Sequence, residues 1–132
     1  MTRSVVHSGV GLKLAVDEPD SLKALELFAT QQLIAPDIYP HEIRHVLTKL
    51  FRQKLLTETE IRIAIEQLEN SQPDLYPSDP VEAFELSLQY RCSYWDAIFL
   101  QLAIREKIAL ITCDERFARN VNRSDVILLS SL

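Results

Sequence analysis

The chain has 132 residues, a length typical of one domain, and we predict a single domain over residues 1–132. Hydrophobic residues make up 47% of the sequence and charged residues 25%, a globular mix that excludes disordered and fibrous classes. The 14 basic and 19 acidic residues give a formal net charge of −5. Most proteins that bind nucleic acid through its phosphates carry the opposite sign, so the charge disfavours this class.

Several kinds of site and location are disfavoured by motifs that the sequence lacks. It contains neither GxGxxG nor GxxxxGK[ST], which argues against dinucleotide and Walker-type nucleotide sites. No apolar run is long enough to cross a bilayer, and the first residues do not resemble a secretory signal. Cys92 and Cys113 do not form a CxxC pair and are expected to stay reduced. We therefore expect a cytoplasmic protein without membrane attachment.

Short apolar and β-branched segments alternate with helical patterns along the chain. The predicted strands are residues 5–6, 33–35, 75–76, 109–112 and 126–128. Strands separated by helices imply right-handed crossovers and a parallel sheet that is covered on both faces. The sequence therefore predicts an α/β domain with three layers and a central parallel β-sheet.

The helical segments are marked by start signals as well as by apolar spacing. The signals are Asp17–Asp20, Pro40, the capping box Thr57–Glu60, and Asp79 with Pro80. Two further helices are predicted over residues 95–106 and through residues 117–121. Apolar residues of the first part of the chain are expected to form core and to contribute to an interface, namely Leu12, Leu22, Leu25 and Phe28.

Four residues are candidates for chemistry because of where they stand relative to the predicted elements. Ligands of parallel sheets bind beyond the carboxyl ends of the strands. His7 follows the first strand, Glu42 lies in the first turn of the helix after the second strand, and Asp114 follows the fourth. Asp96 is embedded in an apolar stretch, where a carboxylate is costly to bury unless it is paired. Taken alone, Asp96 and Asp114 also fit helix caps or, for Asp96, a buried ion pair.

A family resemblance emerges when the segments around these residues are taken together. The segments are Val5-Val6-His7-Ser8-Gly9-Val10, Ala35-Pro36-Asp37 leading to Glu42, Tyr94-Trp95-Asp96-Ala97, and Leu110-Ile111-Thr112-Cys113-Asp114-Glu115-Arg116-Phe117. They resemble the four acidic blocks of the PIN domain, and in particular the small bacterial PIN proteins of the VapC toxin type. The resemblance spans nearly the whole chain, and the last two blocks are its most specific part.

The resemblance implies a metal-dependent endoribonuclease that acts as the toxin of a type II toxin–antitoxin pair. It implies Mg²⁺ or Mn²⁺ as cofactor, held by Glu42, Asp96 and Asp114, with Thr112 hydrogen-bonded nearby. Its implied partners are an RNA substrate, an antitoxin protein that lays a peptide across the cleft, and a second copy in a homodimer. The chemistry is consistent, because phosphodiester hydrolysis uses a hard divalent cation and such ions prefer carboxylate oxygens. Mutual repulsion among converging carboxylates is then expected to raise the pKa of at least one of them.

The sequence departs from the family at the first block. The family has an aspartate where this chain has His7, and Ser or Thr where it has Gly9. Imidazole is a poor ligand for Mg²⁺ and suits Mn²⁺ or Zn²⁺ better, whereas a protonated His7 would compete with the metal. The chain therefore has either an altered metal preference, with His7 as a ligand, or a catalytically impaired PIN scaffold that binds RNA or a protein.

The sequence contains two further patterns that bear on function. His41-Glu42-Ile43-Arg44-His45 matches the HExxH signature of zinc proteases, which would need a third ligand such as Glu60, Glu66 or Glu69. We regard this match as a remote third interpretation because it leaves the other blocks unused. Basic residues that could contact RNA beside the carboxylates are Lys13, Arg44 and Arg116.

Overall fold

Five parallel strands form a single sheet in the computed structural model, which describes residues 1–132. Their order across the sheet is β3-β2-β1-β4-β5, so the first strand of the chain lies at the centre. The strands are β1 Arg3–Val6, β2 Gln32–Pro36, β3 Asp74–Tyr76, β4 Ala109–Thr112 and β5 Val126–Leu128. The predicted α/β class with a central parallel sheet is confirmed, and all five strands lie where the apolar segments placed them.

Seven α-helices connect or follow these strands. They are α1 Ser8–Leu12, α2 Ser21–Thr30, α3 Tyr39–Arg52, α4 Glu58–Asn70, α5 Pro80–Tyr90, α6 Tyr94–Glu106 and α7 Glu115–Val121, and a 3₁₀ turn follows at Leu129–Ser131. The sequence did not predict α1, which contains two glycines in five residues and therefore has a weak helical signal. None of the helices is long and apolar enough to span a bilayer.

The start signals read from the sequence produce the caps expected of them. Thr57 and Glu60 form both hydrogen bonds of a capping box at the start of α4. Asp79 accepts a hydrogen bond from the backbone N–H of Glu82, and Pro80 occupies the first turn of α5. Each such cap stabilises its helix by about 1 kcal/mol.

Helix α6 lies against the middle of the sheet and sets the position of the site. Every residue from Ala97 to Ala103 is buried, and α6 contacts β1, β2 and β4. A crossover helix runs back from the carboxyl edge of a parallel sheet, so the first turn of α6 lies at that edge. The core therefore fixes the residues at the start of α6, including Asp96.

Two helices turn different residues to the core than their apolar spacing suggested. Leu22 and Leu25 of α2 are 81% and 52% exposed, so the prediction that they form core is wrong, whereas Leu12 is buried as predicted. Helix α2 instead buries Ala24 and Leu27. Apolar residues cover more than one stripe of this helix, and spacing alone does not show which stripe faces the sheet.

Helix α5 also turns its bulkier apolar residues away from the core. Val81, Phe84 and Leu88 are exposed, while Ala83 is completely buried in a small cluster with Ala97 and Ile98 of α6. Small side chains allow the two helices to approach closely, which is why the bulkier stripe of α5 faces outward.

Gly11 provides a test of the packing that holds α1 against α3. A Cβ atom at Gly11 would collide with the Tyr39 ring and approach Ile43 Cδ1 to 3.1 Å, whereas a Cβ at Gly9 would meet nothing within 4 Å. We expect Gly11→Ala to lower the free energy of unfolding by about 1–3 kcal/mol because of overpacking. Gly9→Ala is the matched control and should raise it by up to about 1 kcal/mol, since alanine favours the helix. Thermal and urea unfolding of both variants measures this difference, and equal effects would contradict the packing described.

Candidate functional site at the carboxyl edge of the sheet

His7 lies at the centre of the carboxyl edge because β1 is the central strand. It directly follows β1, and its backbone N–H donates to the carbonyl of Ile111 at 2.9 Å, which extends the pairing with β4. Thr112 is the last residue of β4, and Asp96 lies in the first turn of α6. Strand order and helix packing therefore bring these three side chains together.

A directed chain of hydrogen bonds joins Asp114, Thr112, His7 and Asp96. The backbone N–H of Asp114 donates to Thr112 Oγ1 at 3.1 Å, and Thr112 Oγ1 lies 2.7 Å from His7 Nδ1. His7 Nε2 lies 2.9 Å from Asp96 Oδ1. All of these contacts are satisfied if the ring is neutral with its hydrogen on Nε2. The Thr112 hydroxyl then donates to Nδ1, and Nε2–H donates to the Asp96 carboxylate. A protonated ring would also donate to Asp96, so both ring nitrogens are engaged in either form.

The surroundings of His7 hold the ring in this orientation. The residue is 8% exposed and Thr112 is completely buried. The imidazole packs edge-on against Phe99, with ring centroids 4.7 Å apart, and in a tilted arrangement against Phe117 at 5.6 Å. Reorienting His7 would therefore disturb the core as well as the hydrogen bonds.

Asp96 is stabilised as a carboxylate. Burial acts against the charge and is the largest single influence. The hydrogen bond from His7, the positive charge of that ring when protonated, and the hydroxyl of Ser93 together outweigh burial, so the pKa of Asp96 lies below its usual range. Ser93 also caps α6 by accepting a hydrogen bond from the Asp96 N–H at 3.0 Å. Asp96 thus combines the position of a helix start with a hydrogen bond to histidine.

The pKa of Glu42 is shifted in the opposite direction from that of Asp96. Burial raises its pKa, and this influence outweighs the lowering by a hydrogen bond from Ser8 Oγ (3.0 Å) and by the charges of His7 and His45. The negative charge of Asp96 adds only a smaller upward contribution. One carboxyl pKa near the site is therefore raised, as expected from the sequence, but burial rather than repulsion is the main cause.

Asp114 serves as the N-cap of α7. Its Oδ1 accepts a hydrogen bond from the Phe117 backbone N–H at 2.9 Å. The carboxylate thus has the capping role considered for it at the outset. A metal-binding role for Asp114 stays a prediction.

The residues at this edge do not fit the divalent-metal centre that the resemblance implies. No group of three or more His, Cys, Asp or Glu side chains is placed so that it could hold a metal ion. His7 has no ring nitrogen left for a ligand bond, because Nδ1 contacts Thr112 and Nε2 contacts Asp96. One oxygen of Asp96 is already bonded to the histidine that replaces the first acidic residue. A cation that used Asp96 Oδ1 would compete with His7 for that oxygen.

An apolar groove adjoins Glu42. Its volume is about 680 Å³, and Leu12, Ile38, Val46 and Trp95 contribute to its walls together with His41 and His45. The two histidines of the HExxH match are exposed on α3. They lack the third ligand that a zinc protease would need, since no such group exists in the structure.

Two of the three basic residues proposed as RNA contacts bond to other groups of the protein. Lys13 Nζ donates to the carbonyl of Pro19 at 2.7 Å, and Arg44 donates to the carbonyl of Pro40 and to Glu69. Arg116 is exposed. Contact of Lys13, Arg44 or Arg116 with RNA stays a prediction.

Three residues of the site were not recognised as such from the sequence. Ser93 caps α6, and the Ser-x-x-Asp spacing from Ser93 to Asp96 was a usable signal for this role. Ser8 binds Glu42, and Trp95 lines the adjacent groove. Nothing in the sequence alone indicated these last two contacts, because each joins segments far apart in the chain.

The pKa of Asp96 is lowered and that of Glu42 is raised, so removing the charge of each should have different effects on the stability of the fold. Asp96→Asn should lower the free energy of unfolding at pH 7 by about 1–3 kcal/mol, because it removes a charge-assisted hydrogen bond to buried His7. The lowered pKa makes this stabilisation complete above the unfolded-state pKa and lost as the pH falls through the folded-state value. Glu42→Gln should be neutral or stabilising at pH 7, since the raised pKa means that ionised Glu42 is disfavoured in the fold. Urea unfolding at pH 7 and pH 4 measures both effects, and equal losses in the two variants would contradict this assignment.

Comparisons with known proteins agree with the architecture. The family model for the PIN domain matches residues 5–122. PAE2754 from Pyrobaculum aerophilum has a similar structure, with a TM-score of 0.78 and 14% identity over 98% of this chain and 91% of that chain. VapBC2 from Rickettsia felis, solved bound to a DNA fragment from their promoter, gives a TM-score of 0.63 and 16% identity over 96% and 97%.

At these identities the two structures show a shared fold alone, and no curated protein sequence matches the chain significantly. The family model, by contrast, covers most of the 132 residues and includes all four blocks that carry the resemblance. The chain belongs to the PIN domain family.

Proposed function

We propose that this protein is a PIN-domain member of the toxin–antitoxin type that acts by binding a protein partner and does not cleave RNA through a metal centre. PIN domains are generally nucleases, so the proposal assigns this chain to the catalytically impaired scaffolds of the family. The observation that carries it is the engagement of both His7 ring nitrogens, one by Thr112 and one by Asp96.

The charge balance of the site supports this proposal. Replacement of the family's aspartate by His7 removes one negative charge from the place where a divalent cation would sit. The same side chain then donates a hydrogen bond to Asp96 and so uses an oxygen that a cation would need. His7 thus lowers the affinity for a hard cation twice, once by the missing charge and once by competition.

The antitoxin-like partner is also favoured over RNA by surface properties. The net charge is −5, and two of the three basic residues considered for RNA binding, Lys13 and Arg44, already donate to other groups of the protein. The apolar groove next to Glu42 offers Leu12, Ile38 and Trp95 to a peptide. The two free thiols, Cys92 and Cys113, are consistent with the cytoplasmic location that we propose.

A second candidate function is the metal-dependent endoribonuclease toxin itself. It is favoured by one observation, the retention of Glu42, Asp96 and Asp114 at the positions of the family's remaining acidic blocks. In that case RNA is the substrate, and Mn²⁺ should serve better than Mg²⁺ if His7 turns to bind the ion.

A metal titration with His7→Asp distinguishes the two functions. Wild-type protein should show no RNA cleavage above background in Mg²⁺ or Mn²⁺. His7→Asp restores the family's carboxylate and should raise Mg²⁺-dependent cleavage of a labelled RNA by at least about 10–100-fold, the usual scale of changes around a metal. The matched control is His41→Asp, which places the same substitution on an exposed histidine of the neighbouring groove.

The outcome that would overturn the proposed function is equally specific. Efficient cleavage by wild-type protein in Mg²⁺, without gain in His7→Asp, would establish the ribonuclease and show that His7 is not at a ligand position. Expression of His7→Asp should also be more toxic than wild type in a host without the antitoxin. A thermal melt of each variant with and without Mg²⁺ verifies that the proteins being compared are folded.

The homodimer implied by the resemblance is part of the proposal, and α5 is its candidate contact. Val81, Phe84 and Leu88 share one face of α5 and are 75%, 53% and 61% exposed. Light scattering coupled to size exclusion should show a dimer for wild type and a monomer for Phe84→Glu, because a buried carboxylate would disrupt the apolar contact. Ile63→Glu, which alters a comparably exposed residue on α4 (52%), should stay dimeric; a dimer that persists in Phe84→Glu would refute this contact.

A further inference from the structure

An open groove lies between α3 and α4, lined by residues different from those of the His7 site. Its volume is about 700 Å³. The apolar part of its lining comes from Phe51 of α3 and from Ile61 and Ile65 of α4. Phe51 is 47% exposed, and Leu55 in the connection between the helices is 65% exposed. The fold therefore leaves apolar surface uncovered on this side of the helix pair.

The core accounts only in part for these apolar residues of α4. Helix α4 buries Ala64 and Leu68 against the rest of the protein, and these two residues belong to the main core. Ile61 and Ile65 flank that stripe and are only half-buried, and of the two Ile65 also packs against the main core. Helix α4 thus presents an apolar edge beyond the stripe that anchors it.

The rim of the groove is acidic. Glu58, Glu66 and Glu69 line it, and the one basic lining residue, Arg62, is already paired with Glu58 at 2.8 Å. Glu69 pairs with Arg44 at 3.2 Å, whereas Glu66 has no ion pair. Over its whole length α4 carries four glutamates and one arginine. This surface therefore attracts cations and repels phosphates.

We propose that the α3–α4 groove binds an amphipathic helix of a partner protein, with an apolar face and with Lys or Arg along its edges. A groove between two helices accepts the side-chain ridges of a third. Apolar anchors would contact Phe51, Ile61 and Ile65, in the helix-in-groove mode of peptide recognition. Basic residues at the edges would meet Glu66 and its neighbours and fix the orientation. This surface is separate from His7, so the proposal stands or falls independently of the proposed function.

Three synthetic helical peptides test the chemistry of the occupant. The first has leucines along one face and lysines along the other, the second has the same composition with the leucines distributed around the helix, and the third has glutamates in place of the lysines. Titration calorimetry against the full chain should show binding of the first peptide alone. Equal binding of the first two peptides, or binding of the acidic one, would contradict the proposal.

Variants of the groove locate the binding on the protein. Phe51→Ser should weaken binding of the leucine–lysine peptide by at least about tenfold, because it removes an apolar anchor. Glu66→Lys reverses an unpaired rim charge and should weaken it by about three- to tenfold. The matched control is Glu85→Lys on α5, an equally exposed glutamate outside the groove, which should leave the affinity unchanged. If Glu66→Lys and Glu85→Lys weakened binding equally, the peptide would be attracted only by the overall negative charge of the protein, and the proposal would be overturned.

Other occupants of the groove would give distinct results. If a second copy of the chain covered it, Phe51→Ser would convert a dimer into a monomer in light scattering. If RNA used this face, Glu66→Lys would strengthen binding of a labelled RNA oligonucleotide, whereas Glu85→Lys would not. Either result would replace the basic helix as the occupant. The melting temperatures of Phe51→Ser and Glu66→Lys should equal that of wild type within a few degrees, since both residues are exposed.

Discussion

The hydrogen bond between His7 and Asp96 connects the centre of the sheet with the helix that covers it. His7 follows β1, and Asp96 lies in the first turn of α6. The same histidine is held by Thr112 at the end of β4, so one side chain joins two strands and a helix. Because the ring is buried against Phe99 and Phe117, the contact depends on the core as much as on polar groups. This arrangement influences the pKa values of both Asp96 and Glu42 at the carboxyl edge.

The two neighbouring carboxyl groups show how a single substitution changes an acidic site. Asp96 has a hydrogen-bond donor in His7 and a helix cap in Ser93, and its charge is stabilised. Glu42 has only the hydroxyl of Ser8 as a donor, and burial dominates. In an acidic cluster that binds a metal, the cation would stabilise every carboxylate at once. Here the histidine stabilises the Asp96 carboxylate by a direct hydrogen bond, whereas its smaller influence on Glu42 does not overcome burial, and the pKa of Glu42 is raised.

Much of the fold could be predicted because the signals were local. The segment Ala109–Thr112 consists of apolar and β-branched residues and predicts a strand. Thr57 and Glu60 form a capping-box motif that predicts the start of a helix. Neither signal depends on distant contacts. Helix α1 was missed because its glycines give no helical preference. The outward position of Leu22 could not be predicted, since the buried stripe of a helix is decided by the partner against which it packs.

The candidate site was predictable in its positions and not in its bonding. The strand ends predicted His7, Glu42 and Asp114 at one edge, and Asp96 stood out by its apolar surroundings. In the structure His7 bonds to Asp96 and, through Thr112, to the backbone N–H of Asp114. Which oxygen each donor reaches depends on distances between segments separated by up to 105 residues. Ser93 is an exception, because its capping role is encoded three residues from Asp96.

The most direct measurement of the central claim is the ¹⁵N NMR spectrum of the histidine side chains, recorded without metal and with saturating Mg²⁺. We expect His7 Nε2 to carry a hydrogen that exchanges slowly with solvent, and we expect Mg²⁺ not to shift this resonance. The exposed rings of His41 and His45 serve as internal references in the same spectrum. Loss of the Nε2 hydrogen or a large shift of His7 on adding Mg²⁺ would show that the ion displaces the His7–Asp96 contact, and would contradict the account.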